Sequence, residues 1–111
     1  MGIELLQSEE DLGRILEEDV ALIFKHSTRC SVSAAAYAQV EAFSAAHGEV
    51  PIYVLNVLDA RRLSGMVAER FGIAHQSPQI ILLRDGVPVW NASHFKITSV
   101  ALSEKVFAAD M

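Results

Sequence analysis

Three strand-length apolar runs set the terms on which this chain can fold. They are "VALIFK" at residues 20–25, "PIYVLNV" at 51–57 and "QIILLRDGVPVWNA" at 79–92. Strands that are apolar at successive positions are buried on both faces, so they call for helices above and below a sheet. The segments between the runs supply those helices. Residues 31–47 are too rich in alanine for a strand and set Val32, Ala36, Val40 and Phe43 on one stripe before Gly48. The segment "DARRLSGMVAERFG" turns Leu63, Met66, Val67 and Phe71 inward and offers Gly72 as its stop. The third run is two β segments joined at Asp85-Gly86, a hairpin signal. Pro88 in the second of them marks an edge strand, where one ladder bond can be missing.

Ahead of these runs, "IELLQ" suits a short first strand. Ser8, with Asp11 three residues on, opens a helix through Leu12, Ile15 and Leu16. Thr98 is placed to cap the closing helix, "TSVALSEKVFAA". The order β-α-β-α-β-α-β-β-α predicts the α/β class, a central mixed sheet with helices on both faces. A chain of 111 residues that is 51% apolar is expected to form one domain over residues 1–111 and to bury a core without staples.

Charge and composition remove several functions. A net charge of -5 is opposite to the basic field of a nucleic-acid binder. No apolar run approaches the ~20 residues that cross a bilayer, and the N-terminus shows neither a basic leader nor an apolar signal core. The single cysteine cannot form an internal disulfide, which fits a reducing, cytoplasmic compartment. His26 and Cys30 are four apart with no second pair following, so no metal is expected, and no bound cofactor either.

Cys30 itself is the informative residue. A free cysteine is usually a small buried hydrophobe, but this one follows a buried strand and opens a helix. Unpaired N–H groups point outward at a helix start and the dipole there favours negative charge. Thiols in such places are held more as thiolate, the species that attacks disulfides. Arg29, Lys25 and a protonated His26 would add positive potential, and Ser31 and Ser33 offer hydroxyls. His26 reads equally as a solvent-facing loop residue, and Ser33 as an ordinary first-turn helix residue. "CSVS" is C-x-x-S: Ser33 stands where a redox pair would place its second cysteine, so any exchange must stop at a mixed disulfide until an outside thiol arrives. The second informative stretch is "AHQSPQIILL", where Pro78 precedes a strand that can lie opposite the Cys30 turn. A trans bond is the default there; a cis Ser77-Pro78 bond would leave the backbone of Ser77 or His75 open to an extended ligand. Arg61 and Arg62 read as a solvated helix face, Trp90 as packing and His47 as a helix-end residue.

The pieces "KHST-C--SAAAY", "HQSPQ" and "W-ASH-KIT", with the spacing between them, resemble the monothiol bacilliredoxins, thioredoxin-like proteins of the bacillithiol system. The resemblance covers nearly the whole chain. It implies a thioredoxin-like fold with Cys30 as nucleophile and Pro78 as a cis-proline. It also implies an oxidoreductase of redox homeostasis that removes bacillithiol, a small thiol bearing glucosamine and malate, from S-bacillithiolated proteins. Bacillithiol is then a co-substrate. Its malate carboxylates would meet basic groups, for which Lys25, Arg29, His94 and Lys96 are candidates beside Ser77 and Pro78. Two positions depart from the expected pattern: Ser31 replaces a proline, restoring a backbone N–H at the first helical position, and Phe95 replaces a tryptophan. Two other functions fit the same cysteine. One is a redox-sensing or binding module modified at Cys30 without turnover. The other is an iron–sulfur carrier using Cys30 and a small thiol, against which the loop lacks a lysine-glycine approach for that thiol.

Overall fold

A computed structural model of the chain describes residues 2–108. The elements run β1 (Ile3–Leu5), α1 (Glu9–Ile15), β2 (Val20–His26), α2 (Ser31–Ala46), β3 (Ile52–Asn56), α3 (Arg61–Phe71), β4 (Gln79–Arg84), β5 (Val87–Ser93) and α4 (Ser99–Val106), with a 3-10 turn at His94–Lys96 before α4. This is the order read from the sequence. Ala109, the last residue of the run expected to form the closing helix, lies outside the described residues. The strands form one sheet in the order β1-β3-β2-β4-β5. β1, β3 and β2 are parallel, while β4 and β5 run antiparallel, so the sheet is mixed as expected.

Strand alternation divides the core into two layers. Leu22 and Phe24 of β2, Ile52 and Val54 of β3, and Ile80 and Leu82 of β4 pack with Ala36, Val40 and Phe43 of α2 and Leu102 and Val106 of α4. Ala21, Ile23, Leu55, Ile81 and Leu83 face the other way, onto Leu12 and Ile15 of α1 and Leu63 and Val67 of α3. Each fully buried aliphatic side chain is worth roughly 1.5–3 kcal/mol relative to exposure, so the strands at the centre of both layers hold the sheet. Val32, expected on the α2 stripe, is only half-buried.

The local signals do what their chemistry predicts. Ser8 accepts from Asp11 N–H, and the Asp11 carboxylate accepts from Ser8 N–H, closing a capping box. Thr98 accepts from Ala101 N–H, and Gln39 Oε1 takes Ser99 N–H, tying α4 to α2. Gly72 ends α3 at φ 65°. Gly48 does not play that part for α2, which stops at Ala46 with His47 as its cap, its ring tilted against those of Phe43 and Phe107. At the hairpin, Asp85 and Gly86 both have positive φ, 51° and 76°, the geometry that matches strand twist. A Cβ at Gly86 would also lie 2.9 Å from Leu16 O, so glycine is required there twice over. Pro88 lies on β5, the sheet edge, beside the register shift between Leu82 and Leu83.

Candidate active site

β2 runs into the centre of the sheet and delivers the chain to its carboxyl end. The turn from Ser27 to Arg29 then leads into α2, with Cys30 as the N-cap residue. Cys30 has extended φ/ψ of -112° and 123°, donates its N–H to Ser27 O at 3.2 Å, and receives Ala34 N–H at 3.0 Å. Its side chain makes no capping hydrogen bond, and the first turn of α2 contains no acidic residue. The sulfur therefore stands half-buried at a helix start with no like charge in that turn, a place that suits an anion.

The turn is braced from beneath by Ser33. This residue is fully buried, and its Oγ accepts Ser27 N–H at 2.9 Å. The same oxygen lies 2.7 Å from His26 Nδ1. Since Oγ already accepts from Ser27, its own proton is free to go to His26. Burial holds His26 below the ordinary histidine range, which favours the neutral ring as acceptor. That ring stacks on Phe24 at 5.5 Å and meets Tyr37 edge-on at 4.8 Å. His26 is thus neither a loop residue nor solvent-facing: it is the last residue of β2 and fills the α2 side of the core.

Lys25 points the opposite way and corrects a second expectation. It is fully buried on the α3 side and cannot meet carboxylates at the surface. Its Nζ donates to Ser64 O at 3.1 Å and lies 3.1 Å from His75 Nδ1. Desolvation brings its pKa down to about 8. An ammonium can only donate, so while Lys25 is charged His75 Nδ1 accepts and the ring proton sits on Nε2. His75 is itself held below the usual range, first by burial and then by the Lys25 charge.

The opposite wall of the site is Pro78. The β2–β4 register ends with Lys25 opposite Gln79, and one further step sets His26 level with Pro78. The Ser77-Pro78 bond is cis. Pro78 O accepts His94 N–H at 3.1 Å, which draws the 3-10 turn to this end of the sheet. His94, Phe95 and Lys96 are exposed there, and so are Arg29 and Ser31 at the Cys30 turn. Of the residues singled out from the sequence, Arg29, Ser31, His94 and Lys96 remain on the surface, whereas Lys25, His26 and Ser33 are interior. His75, read from the sequence only for its backbone, and Arg61, read as part of a solvated helix face, together line a cavity of about 390 Å³ with Val57, Leu58, Ser64 and Gly65. Only the meeting of the β3–α3 and α3–β4 connections reveals it. Among the described residues no group of three or more His, Cys, Asp or Glu could hold a metal ion, and no helix is long and apolar enough to cross a membrane.

A cysteine capping the helix after the central parallel strand, with a cis-proline at the adjacent strand, places the chain among thioredoxin-fold proteins. One solved structure, a candidate oxidoreductase with a thioredoxin fold, is 30% identical and superposes with a TM-score of 0.87, covering 92% of this chain and 91% of that one. A single-site mutant of a thioredoxin from Halobacterium salinarum NRC-1 (17% identity, TM-score 0.78, 99% and 94% covered) and thioredoxin NaTrxh from Nicotiana alata (17%, 0.73, 94% and 89%) share the fold. The family model "Monothiol bacilliredoxin BrxC" matches residues 4–102, and the chain belongs to the monothiol bacilliredoxin family. Family and oxidoreductase neighbours together support a thiol redox function.

Proposed function

We propose that the protein is a monothiol oxidoreductase that removes bacillithiol from S-bacillithiolated proteins, with Cys30 as the catalytic nucleophile. The observation that carries this reading is the Cys30 N-cap just beyond the carboxyl end of β2, whose last residue His26 lies level with cis-Pro78, with no second thiol in the chain. The Cys30 thiolate attacks the bacillithiol sulfur of the mixed disulfide. The old S–S bond breaks, the substrate protein leaves as its thiolate, and a Cys30–bacillithiol disulfide forms. A second bacillithiol thiolate then attacks the bacillithiol sulfur on Cys30, giving bacillithiol disulfide and regenerating the Cys30 thiolate. One disulfide is exchanged for another at each step, so no further oxidant or reductant enters. Attack at the other sulfur would join the two proteins, and recognition of the small thiol beside Cys30 is what prevents it.

The test mixes reduced protein with a bacillithiol-modified model protein and follows both intact masses. Wild type gains the small-thiol mass and frees the model thiol, and Cys30→Ala does neither. If Cys30 accepts a small-molecule disulfide but not bacillithiol from a protein, the proposed substrate class is wrong. Uptake of bacillithiol without release by added bacillithiol would make the protein an acceptor module rather than an enzyme.

A further inference from the structure

The cavity beside His75 brings one cation, Arg61, and two polar side chains, Ser64 and His75, to an otherwise apolar lining. It opens between the first turns of α3 and the loop that leads to Pro78, over the end of β2 on the α3 side. Val57 is fastened there by its N–H to His26 O at 3.0 Å. His75 stands three residues before cis-Pro78. The cavity therefore shares the carboxyl end of the parallel strands with the Cys30 turn, the location where open α/β sheets take their ligands. Its volume of about 390 Å³ is in the range of small-molecule sites, roughly 300–1,000 Å³.

Its electrostatics are one-sided. Arg61 is exposed on the wall, and Lys25 lies fully buried behind Ser64 and His75. The chain carries 14 acidic and 9 basic residues, yet neither of these cations has a carboxylate partner: the one ion pair among the described residues is Arg14–Asp11, on α1. A buried ammonium without a counter-charge is costly, and an anion placed nearby relieves that cost. Lys25 has three N–H donors and two partners, and while Lys25 is charged the His75 ring keeps its proton on Nε2, a neutral donor on a residue that lines the cavity. Leu58 and Val57 provide an apolar wall on the other side.

Resting on the bacillithiol reading above, we propose that this cavity receives the malate end of bacillithiol, with Arg61 contacting its carboxylates, His75 donating to them, and Lys25 supplying positive charge from behind. Recognition thus comes from the α3 side of the sheet, and Arg61 is a specificity-determining residue. A charge-assisted contact of this kind is worth about a tenfold difference in affinity.

The probe is S-methylated bacillithiol, which binds but cannot exchange, compared with the same molecule lacking malate. Titrations are followed by backbone amide shifts in the full chain. Expected are shifts at Leu58, Gly65 and His75 with the malate-bearing probe, about tenfold weaker binding in Arg61→Ala, and partial recovery in Arg61→Lys. Lys25→Met should weaken binding as well, which tests the buried charge without altering the surface. Shifts confined to Arg29, His94 and Lys96 would overturn the cavity assignment, as would equal binding of the two probes or no binding. Because the probe cannot exchange, these outcomes are separate from the mass-transfer result, which alone decides whether the protein removes bacillithiol.

Discussion

Lys25 and His26 are consecutive residues at the end of one strand, and they meet opposite environments. His26 enters the α2 side, where Ser33, Phe24 and Tyr37 close around it. There the Ser33 hydroxyl pairs with both Ser27 N–H and His26 Nδ1. Lys25 enters the α3 side with a backbone carbonyl and a histidine ring for company and no carboxylate. One face of the sheet end is chemically complete and serves to position Cys30. The other is left electrically open, next to a cavity. The difference shows how a single strand end can fix a nucleophile on one side and leave room for recognition on the other.

Three experiments act on that contrast. The largest effect should come from Lys25→Met. With the folded pKa near 8 and the unfolded value near 10.5, the buried ammonium costs roughly 3 kcal/mol at neutral pH. Between those two values the unfolded chain binds more protons than the folded one, so native stability rises with pH across that window. Lys25→Met should therefore be more stable than wild type in urea unfolding at pH 7, by less than that amount because Ser64 O and His75 Nδ1 lose a donor, with the gain shrinking as pH rises from 8 to 10.5. The same variant should bind the malate-bearing probe less well, so a stabler protein would be a less selective one. A gain that ignores pH would show that Lys25 carries no uncompensated charge.

Ser33→Ala attacks the complete side and should cost about 2 kcal/mol, because Ser27 N–H and His26 Nδ1 both lose their partner inside the protein. Chemical denaturation measures the stability, and the rate of bacillithiol uptake reports whether the Cys30 turn has loosened; an unchanged midpoint would remove Ser33 as the brace. The smallest effect concerns protonation of His26. Its folded pKa is depressed by burial, so its neutral form supports the fold above the unfolded value of about 6.5, and stability falls as pH drops below that. His75, depressed in the same direction, shares this slope, so His26→Phe should flatten the acid limb in part. A limb of unaltered steepness would assign it to His75 and the carboxylates.

Much of this arrangement is legible in the sequence alone. The apolar runs, the Asp85-Gly86 turn, the Ser8 box and the Thr98 cap are local signals, and local hydrogen bonds decide them. Position 30 at a helix start follows from where β2 ends. Lys25 departs from its surface reading although its strand reads as buried on both faces; alternation after Ile23 turns it into the α3 layer, as alternation after Phe24 turns His26 toward α2. The period of the strand outweighs the attraction of a lysine to water. The Arg61–His75 cavity is not legible at all. It depends on how the connections before and after α3 pack over Lys25, and in sequence Arg61 looks like any solvated first-turn arginine.

Ser33 also bears on whether such a site can take a second thiol. Its hydroxyl accepts from the backbone and pairs with His26 inside the core, and a thiol is a weak substitute in both roles, with a larger atom and poorer donor and acceptor strength. Introducing a second cysteine by Ser33→Cys would thus unmake the brace in the same stroke that created a partner for Cys30. The hydroxyl at position 33 and the single thiol at position 30 are thus coupled: gaining an internal disulfide costs more than a one-residue change suggests.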